Sequence, residues 1–151
     1  MESQDYQKLI VAVDFDGTIA GRDENHNLVV IPGADTYIRK IRELGHTIVL
    51  YTCREGKNQW KAEKFMEDHN IPYDRINANF PGQIALYGHD SRKINADVYV
   101  DDKAVGGMPS WETVYNWVVE LSHKLPYTVS NDPYFTPTNK LSTADETSIT
   151  D

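Results

Sequence analysis

Five consecutive apolar residues, Leu9-Ile-Val-Ala-Val13, run directly into Asp14-Phe-Asp16-Gly17-Thr18. The run is too short for a helix with a polar face and lacks the alternation of a half-exposed strand, so it reads as a strand buried on both faces, as in a parallel sheet. Asp14 and Asp16 then fall at its carboxyl end, where open α/β sheets gather their ligands. Side chains two apart on extended chain point the same way, so both carboxylates can reach one site. Gly17 permits a sharp turn and Thr18 offers a hydroxyl just beyond it. Two acids held so closely repel, and a bound divalent cation is the usual remedy.

A second apolar strand ends the same way, in Val98-Tyr-Val-Asp101-Asp102. In a parallel sheet its acids land beside the first pair. Between them strand and helix signals alternate. Residues 20–31 read as a polar turn and small hairpin closing on Leu28-Val-Val-Ile31. Pro32-Gly33 opens a helix with Ala34, Tyr37, Ile38, Ile41 and Leu44 on one stripe, ended by Gly45. Thr47–Thr52 is a strand, 57–69 a helix with Trp60, Phe65 and Met66 inward, and Ile71–Ile76 leads into a third short strand. Ser110 is an N-cap for a last helix bearing Trp111, Val114, Tyr115, Val118 and Leu121. The predicted class is α/β, a Rossmann-like parallel sheet with helices on both faces.

Further residues can serve a phosphate. Thr52 ends a strand and is followed by Cys53-Arg54-Glu-Gly56, a strand-to-helix turn whose hydroxyl and amides can hold a phosphate oxygen. Arg54 suits bidentate contact with a phosphate. Cys53 has no phosphate-cradling loop around it of the kind a thiolate nucleophile needs, and a buried packing role is expected of it. Lys93, eight residues before Asp101, can offset the carboxylates and orient a nucleophile; Arg92 beside it is a competing occupant.

These four segments, in this order, resemble the motifs of the haloacid dehalogenase superfamily, over residues 8 to about 121. The resemblance implies a Mg²⁺-dependent phosphatase with Asp14 as nucleophile and Asp16 as general acid/base whose carbonyl also binds the metal. It implies Thr52, with Cys53, Arg54 and Thr18 around it, as the phosphate site, Lys93 as the catalytic cation, and Asp14, Asp16, Asp101 and Asp102 as the metal set, Asp102 favoured over Asp101 as direct ligand. The segment around Lys93 to Lys103 is similar to deoxyribonucleotidases, so a nucleotide-directed phosphatase is the alternative within the enzyme class. The loop Val105–Trp111 is similar to one in a group of capless hydrolases. An inactive phosphate- or metal-binding module is the alternative outside the enzyme class, and the presence of both Asp14 and Asp16 argues against it.

Twelve residues between Thr18 and Ile31, and forty between Thr52 and Lys93, leave no room for a cap domain, so an open site is expected, with a small phosphorylated substrate and a possible homo-oligomer. The net charge of −8 argues against a nucleic-acid surface. A single cysteine excludes an intrachain disulfide, and no leader or membrane span is apparent, so a cytoplasmic protein is expected. The five histidines lack zinc-ligand spacing. Residues 1–125 are read as the hydrolase domain; 126–151, rich in Ser, Thr and Pro, as a flexible tail with Tyr127, Tyr134 and Phe135 as docking candidates.

Overall fold

The computed structural model describes residues 6–124 of the chain; the expected tail at 126–151 lies outside them. Strands β1 (Ile10–Asp14), β4 (Thr47–Tyr51), β5 (Arg75–Ile76) and β6 (Val98–Val100) form one sheet in the order β5-β4-β1-β6, every pairing parallel. A separate antiparallel hairpin, β2 (Ala20–Arg22) and β3 (Leu28–Val30), fills the short segment after β1. Helices α1 (Ala34–Glu43), α2 (Gly56–Asp68), α3 (Pro81–Tyr87) and α4 (Trp111–Lys124) complete the described residues. None of these helices is long and apolar enough to cross a membrane.

The buried run of β1 explains the layering. Leu9, Val11 and Val13 face one side with Ile48 and Leu50 of β4, under Ile38 and Ile41 of α1, Phe65 and Met66 of α2, and Val114 and Val118 of α4. Ile10, Ala12 and Val49 face the other, covered by Phe80, Ile94 and Ala96 from the chain around α3. Helices therefore lie on both faces, unequally. Chain direction across the sheet accounts for this: β1 to β4 to β5 steps one way with α1 and α2 on one face, and the return past β1 to β6 carries α3 over the other. The reversal of strand order falls at β1, where α/β sheets form their ligand crevice.

Two expectations need correction. Trp60 of α2 is 57% exposed; Ala62, Phe65 and Met66 form the buried face instead. The stretch before Lys93 also contains α3, which its seven residues and Pro-Gly start hide from any helical periodicity. The other elements lie where expected, and Ser110 Oγ accepts the Thr113 N–H at 3.1 Å as the cap of α4.

Carboxylates at the amino ends of strands serve the backbone. Asp97 accepts the Ile10 N–H at 2.8 Å and Asp74 the Ile48 N–H at 2.7 Å, satisfying amides that lie at the start of the ladders. His46 does the same for Leu9, whose N–H reaches Nδ1 at 3.0 Å, and its ring is fully buried. Burial, with Lys8 adding repulsion, holds the imidazole down to about 4 from 6.5. The unfolded chain then takes up a proton between these values that the folded chain refuses. The contribution is complete above about pH 6.5 and falls as pH drops toward 4, by up to roughly 3 kcal/mol. In denaturant titrations, the stability advantage of wild type over His46→Gln should shrink steadily from pH 7 to pH 4.5; an advantage that stays constant across that range would show that His46 is not the acid-labile group.

Candidate active site

The parallel register brings the acids together. Val13 lies opposite Leu50 on one side and Val100 on the other, so Asp14, next along β1, is level with the start of the Asp101-Asp102 turn. One carboxylate oxygen from each of Asp14, Asp101 and Asp102 lies within 4.8 Å of the other two. Among the described residues this is the one cluster of potential metal ligands. Burial first, and repulsion by Asp101 second, push the Asp14 carboxyl up to about 7. Asp101 stays below the usual range because the Lys103 amide and the Tyr51 hydroxyl donate to it, at 2.9 and 3.0 Å. Asp102 differs: its Oδ1 is buried and has no partner among the described residues.

Thr18 ties the two strand ends. Its hydroxyl donates to Asp14 Oδ2 at 3.2 Å and accepts the Asp102 N–H at 3.0 Å. Its carbonyl accepts the buried indole N–H of Trp111 at 2.9 Å, so the first turn of α4 also locks the loop. Thr18 is itself fully buried, so the hydroxyl expected at the substrate is instead spent on aligning the acids. Gly17 has φ +83°, and a Cβ there would collide with the Asp102 carboxylate. Close approach of the two loops thus requires glycine.

Asp16 projects away from the three acids and forms a bidentate pair with Arg54, Nε to Oδ2 at 2.7 Å and Nη2 to Oδ1 at 2.8 Å. The guanidinium also lies over the Phe15 ring and donates to Asn58 O. Arg54 thereby holds the Asp16 carboxyl below its ordinary value. The Arg expected to point at substrate is paired with protein. Long-range pairing of this kind, 38 residues apart, leaves no local signal in the sequence.

Asp14, Thr52, Cys53, Arg92, Lys93 and Asp101 line a single cleft of about 630 Å³. Cys53 is exposed there, not buried as expected. Lys93 and Arg92 both reach this cleft, and Lys93 Nζ lies over the Tyr99 ring, 5.1 Å from its centroid. Thr52 is positioned by Asn77, whose side chain accepts the Thr52 N–H at 2.8 Å and donates to its carbonyl at 2.9 Å. Asn77 sits at φ +52°, a conformation Asn tolerates, and together with Tyr51 it is a site residue that sequence reasoning missed. An Asn in an uncharged loop and a Tyr ending a strand carry no motif of their own.

The donor set is all carboxylate, with one buried oxygen lacking a partner and one carboxyl pushed up by burial and by its neighbours. That suits a hard divalent cation such as Mg²⁺, which takes oxygen ligands and keeps several waters.

No family model and no curated protein sequence matches the chain. Among solved structures, a conserved protein from Bacteroides thetaiotaomicron superposes with a TM-score of 0.66 at 28% identity, covering 76% of this chain and 93% of that one. The shared feature is the α/β fold. A protein from Vibrio cholerae, provisionally assigned as a 3-deoxy-D-manno-octulosonate 8-phosphate phosphatase, gives a TM-score of 0.36 at 10% identity over 97% of this chain and 88% of its own. A hypothetical protein from Xanthomonas campestris gives 0.36 at 10% over 98% and 89%. Overlays this loose carry no argument, and the name of the Bacteroides protein states no activity.

The crowding has a measurable consequence for the metal-free protein. Because the folded Asp14 carboxyl is raised, its contribution to stability is present below about pH 3.8 and is lost as pH rises through about 7. Asp14→Asn should therefore stabilise the chelated protein at pH 8 by at least about 1 kcal/mol and by much less at pH 4.5. Equal effects at both pH values would show that the Asp14 carboxyl is not raised in the folded protein. Gly17→Ala, strained in backbone and in collision with Asp102, should lose about 1–3 kcal/mol at either pH.

Proposed function

We propose that this chain is a Mg²⁺-dependent phosphoric monoester hydrolase of the haloacid dehalogenase type, working through an aspartyl phosphate on Asp14. The observation that carries the reading is the Thr18 hydroxyl, which fixes Asp14 and the Asp102 backbone at the switch point of the sheet. A nucleophile must be held in one orientation, and a bystander carboxylate need not be. Asp14, Asp102 and the Asp16 carbonyl would hold the cation, with Asp101 steered by Tyr51 beside them. The unpartnered Oδ1 favours Asp102 over Asp101 as the direct ligand. When bound, Mg²⁺ would relieve the repulsion among the acids and draw charge from the phosphoryl oxygens.

In the first half-reaction an Asp14 oxygen attacks phosphorus in line, forming a new O–P bond as the ester P–O bond breaks. The leaving alkoxide takes a proton from Asp16. For that, Asp16 must leave its pair with Arg54 and take up a proton from water before the ester bond breaks, and an arriving phosphate is a competing bidentate partner for the guanidinium. Lys93 or Arg92 in the cleft, with the Thr52 hydroxyl, would oppose the charge on the equatorial oxygens. In the second half-reaction Asp16 takes a proton from water, the hydroxyl attacks phosphorus, and inorganic phosphate leaves with Asp14 restored.

Turnover of p-nitrophenyl phosphate should vanish in chelator and return with Mg²⁺. Rapid-quench mass spectrometry should find one phosphoryl group on the peptide containing Asp14 and none in Asp14→Asn. Asp16→Asn removes proton transfer along with the ion pair to Arg54, and should lower turnover by roughly 10²–10⁴. Undiminished turnover by Asp14→Asn would sink the assignment, and a wild type that binds Mg²⁺ and phosphate but never turns over would mark a binding module.

A further inference from the structure

Tyr51 ends β4 at the level of the acids. The register pairs it with Asp14 across β4 and β1, and pairs Ala12 with Tyr99 across β1 and β6. Asp14 follows Ala12 by two residues and Asp101 follows Tyr99 by two, so Tyr51, Asp14 and Asp101 project from one face of the sheet. The Tyr51 ring packs against the cluster of Ile10, Ala12, Val49 and Ile94. Its hydroxyl spans the width of β1, the strand between, and donates to Asp101 Oδ2 at 3.0 Å. An ionised carboxylate can only accept, so the hydroxyl is the donor.

This bond divides three similar carboxylates into two kinds. Both Asp101 oxygens have a donor, Oδ1 from the Lys103 amide at 2.9 Å and Oδ2 from Tyr51. Asp14 accepts from Thr18 through Oδ2, and Asp102 has a buried Oδ1 with no partner among the described residues. Yet an Asp101 oxygen lies within 4.8 Å of oxygens on both other acids, near enough for all three to close on one ion. Phenylalanine would serve the apolar contacts of the ring equally well. What the hydroxyl adds is its hold on Asp101.

The number of carboxylates free to close on an ion decides which ion is kept. Mg²⁺ needs near-octahedral geometry, keeps several waters and takes one or two carboxylates, whereas Ca²⁺ accepts about six to eight oxygens in looser geometry. We propose that Tyr51 is a positioning residue that sets the cation preference of the site: by restraining Asp101 it leaves Asp14 and Asp102 as the direct carboxylates, and so favours Mg²⁺ over Ca²⁺. The proposal rests on the divalent-cation part of the phosphatase reading and not on turnover. Without the hydroxyl, Asp101 can swing inward as a third carboxylate. That crowds a small octahedral ion and satisfies a larger one.

Calorimetry with MgCl₂ and CaCl₂, in the absence of any substrate, reads this preference without chemistry. Tyr51→Phe keeps the packing of the ring and should shift the ratio of the two dissociation constants toward Ca²⁺ by about tenfold. A merely structural defect would weaken both ions alike. Asp101→Asn should keep the wild-type ratio, and the shift should disappear in the Tyr51→Phe/Asp101→Asn double variant. An unchanged ratio in Tyr51→Phe, a shift that persists in the double variant, or a lost Mg²⁺ preference in Asp101→Asn would each overturn the role of Tyr51. A shift that needs Asp101, in a protein that hydrolyses no ester, would uphold that role and defeat the phosphatase reading. Turnover in Mg²⁺ by a protein whose ratio ignores Tyr51 would do the reverse, and a wild type that binds neither ion would overturn both.

Discussion

Three carboxylates on the ends of two neighbouring strands are the constraint around which this molecule is arranged. Left to themselves, Asp14, Asp101 and Asp102 would separate into water, since like charges a few ångströms apart in a partly buried site are costly. The sheet prevents it. Leu9–Val13 is buried on both faces, so β1 cannot shift, and its register with β6 sets the spacing of the acids. Thr18, Tyr51 and the Lys103 amide then orient individual oxygens without neutralising the cluster. Stability surrendered at one end of a rigid core is the usual signature of a functional site.

The same residue type does opposite work at the two ends of the strands. Asp74 and Asp97, at the amino ends, each accept a backbone N–H that begins the ladder of a neighbouring strand. At the carboxyl ends, of Asp14, Asp101 and Asp102 it is Asp101 that accepts a backbone N–H, from Lys103, and the acids gathered there accumulate charge. Strand direction thus decides which aspartates support the fold and which are left to act. Arg54 illustrates the boundary: it relieves Asp16, next to the cluster, and leaves Asp14 crowded.

What was legible in the sequence followed from short-range physics. The doubly buried run, its acidic exit, the stripe of α1 and the Ser110 cap all depend on neighbours a few residues away, and all are found. Trp60 was misread because one large aromatic on an irregular helix outweighs the weaker Ala62 and Phe65 stripe. α3 was missed because seven residues opened by Pro81-Gly82 show no period. Thr18, Cys53 and Arg54 were identified as site residues, but their environments depend on contacts across the sheet: burial by Trp111, exposure in the cleft, and a pair with Asp16. Asn77, which positions Thr52 at the cleft, looks in the sequence like an ordinary loop polar residue.

The central claim is that Asp14 is the nucleophile and that Asp14 and Asp102 together hold a cation. A crystal structure grown with Mg²⁺ and beryllium fluoride, a mimic of the phosphoryl group, tests both parts at once. The account predicts a trifluoroberyllate bonded to one Asp14 oxygen, with Mg²⁺ about 2.0–2.1 Å from the other Asp14 oxygen and from Asp102. Fluoride on any other residue, or Mg²⁺ bound away from Asp14 and Asp102, would contradict it.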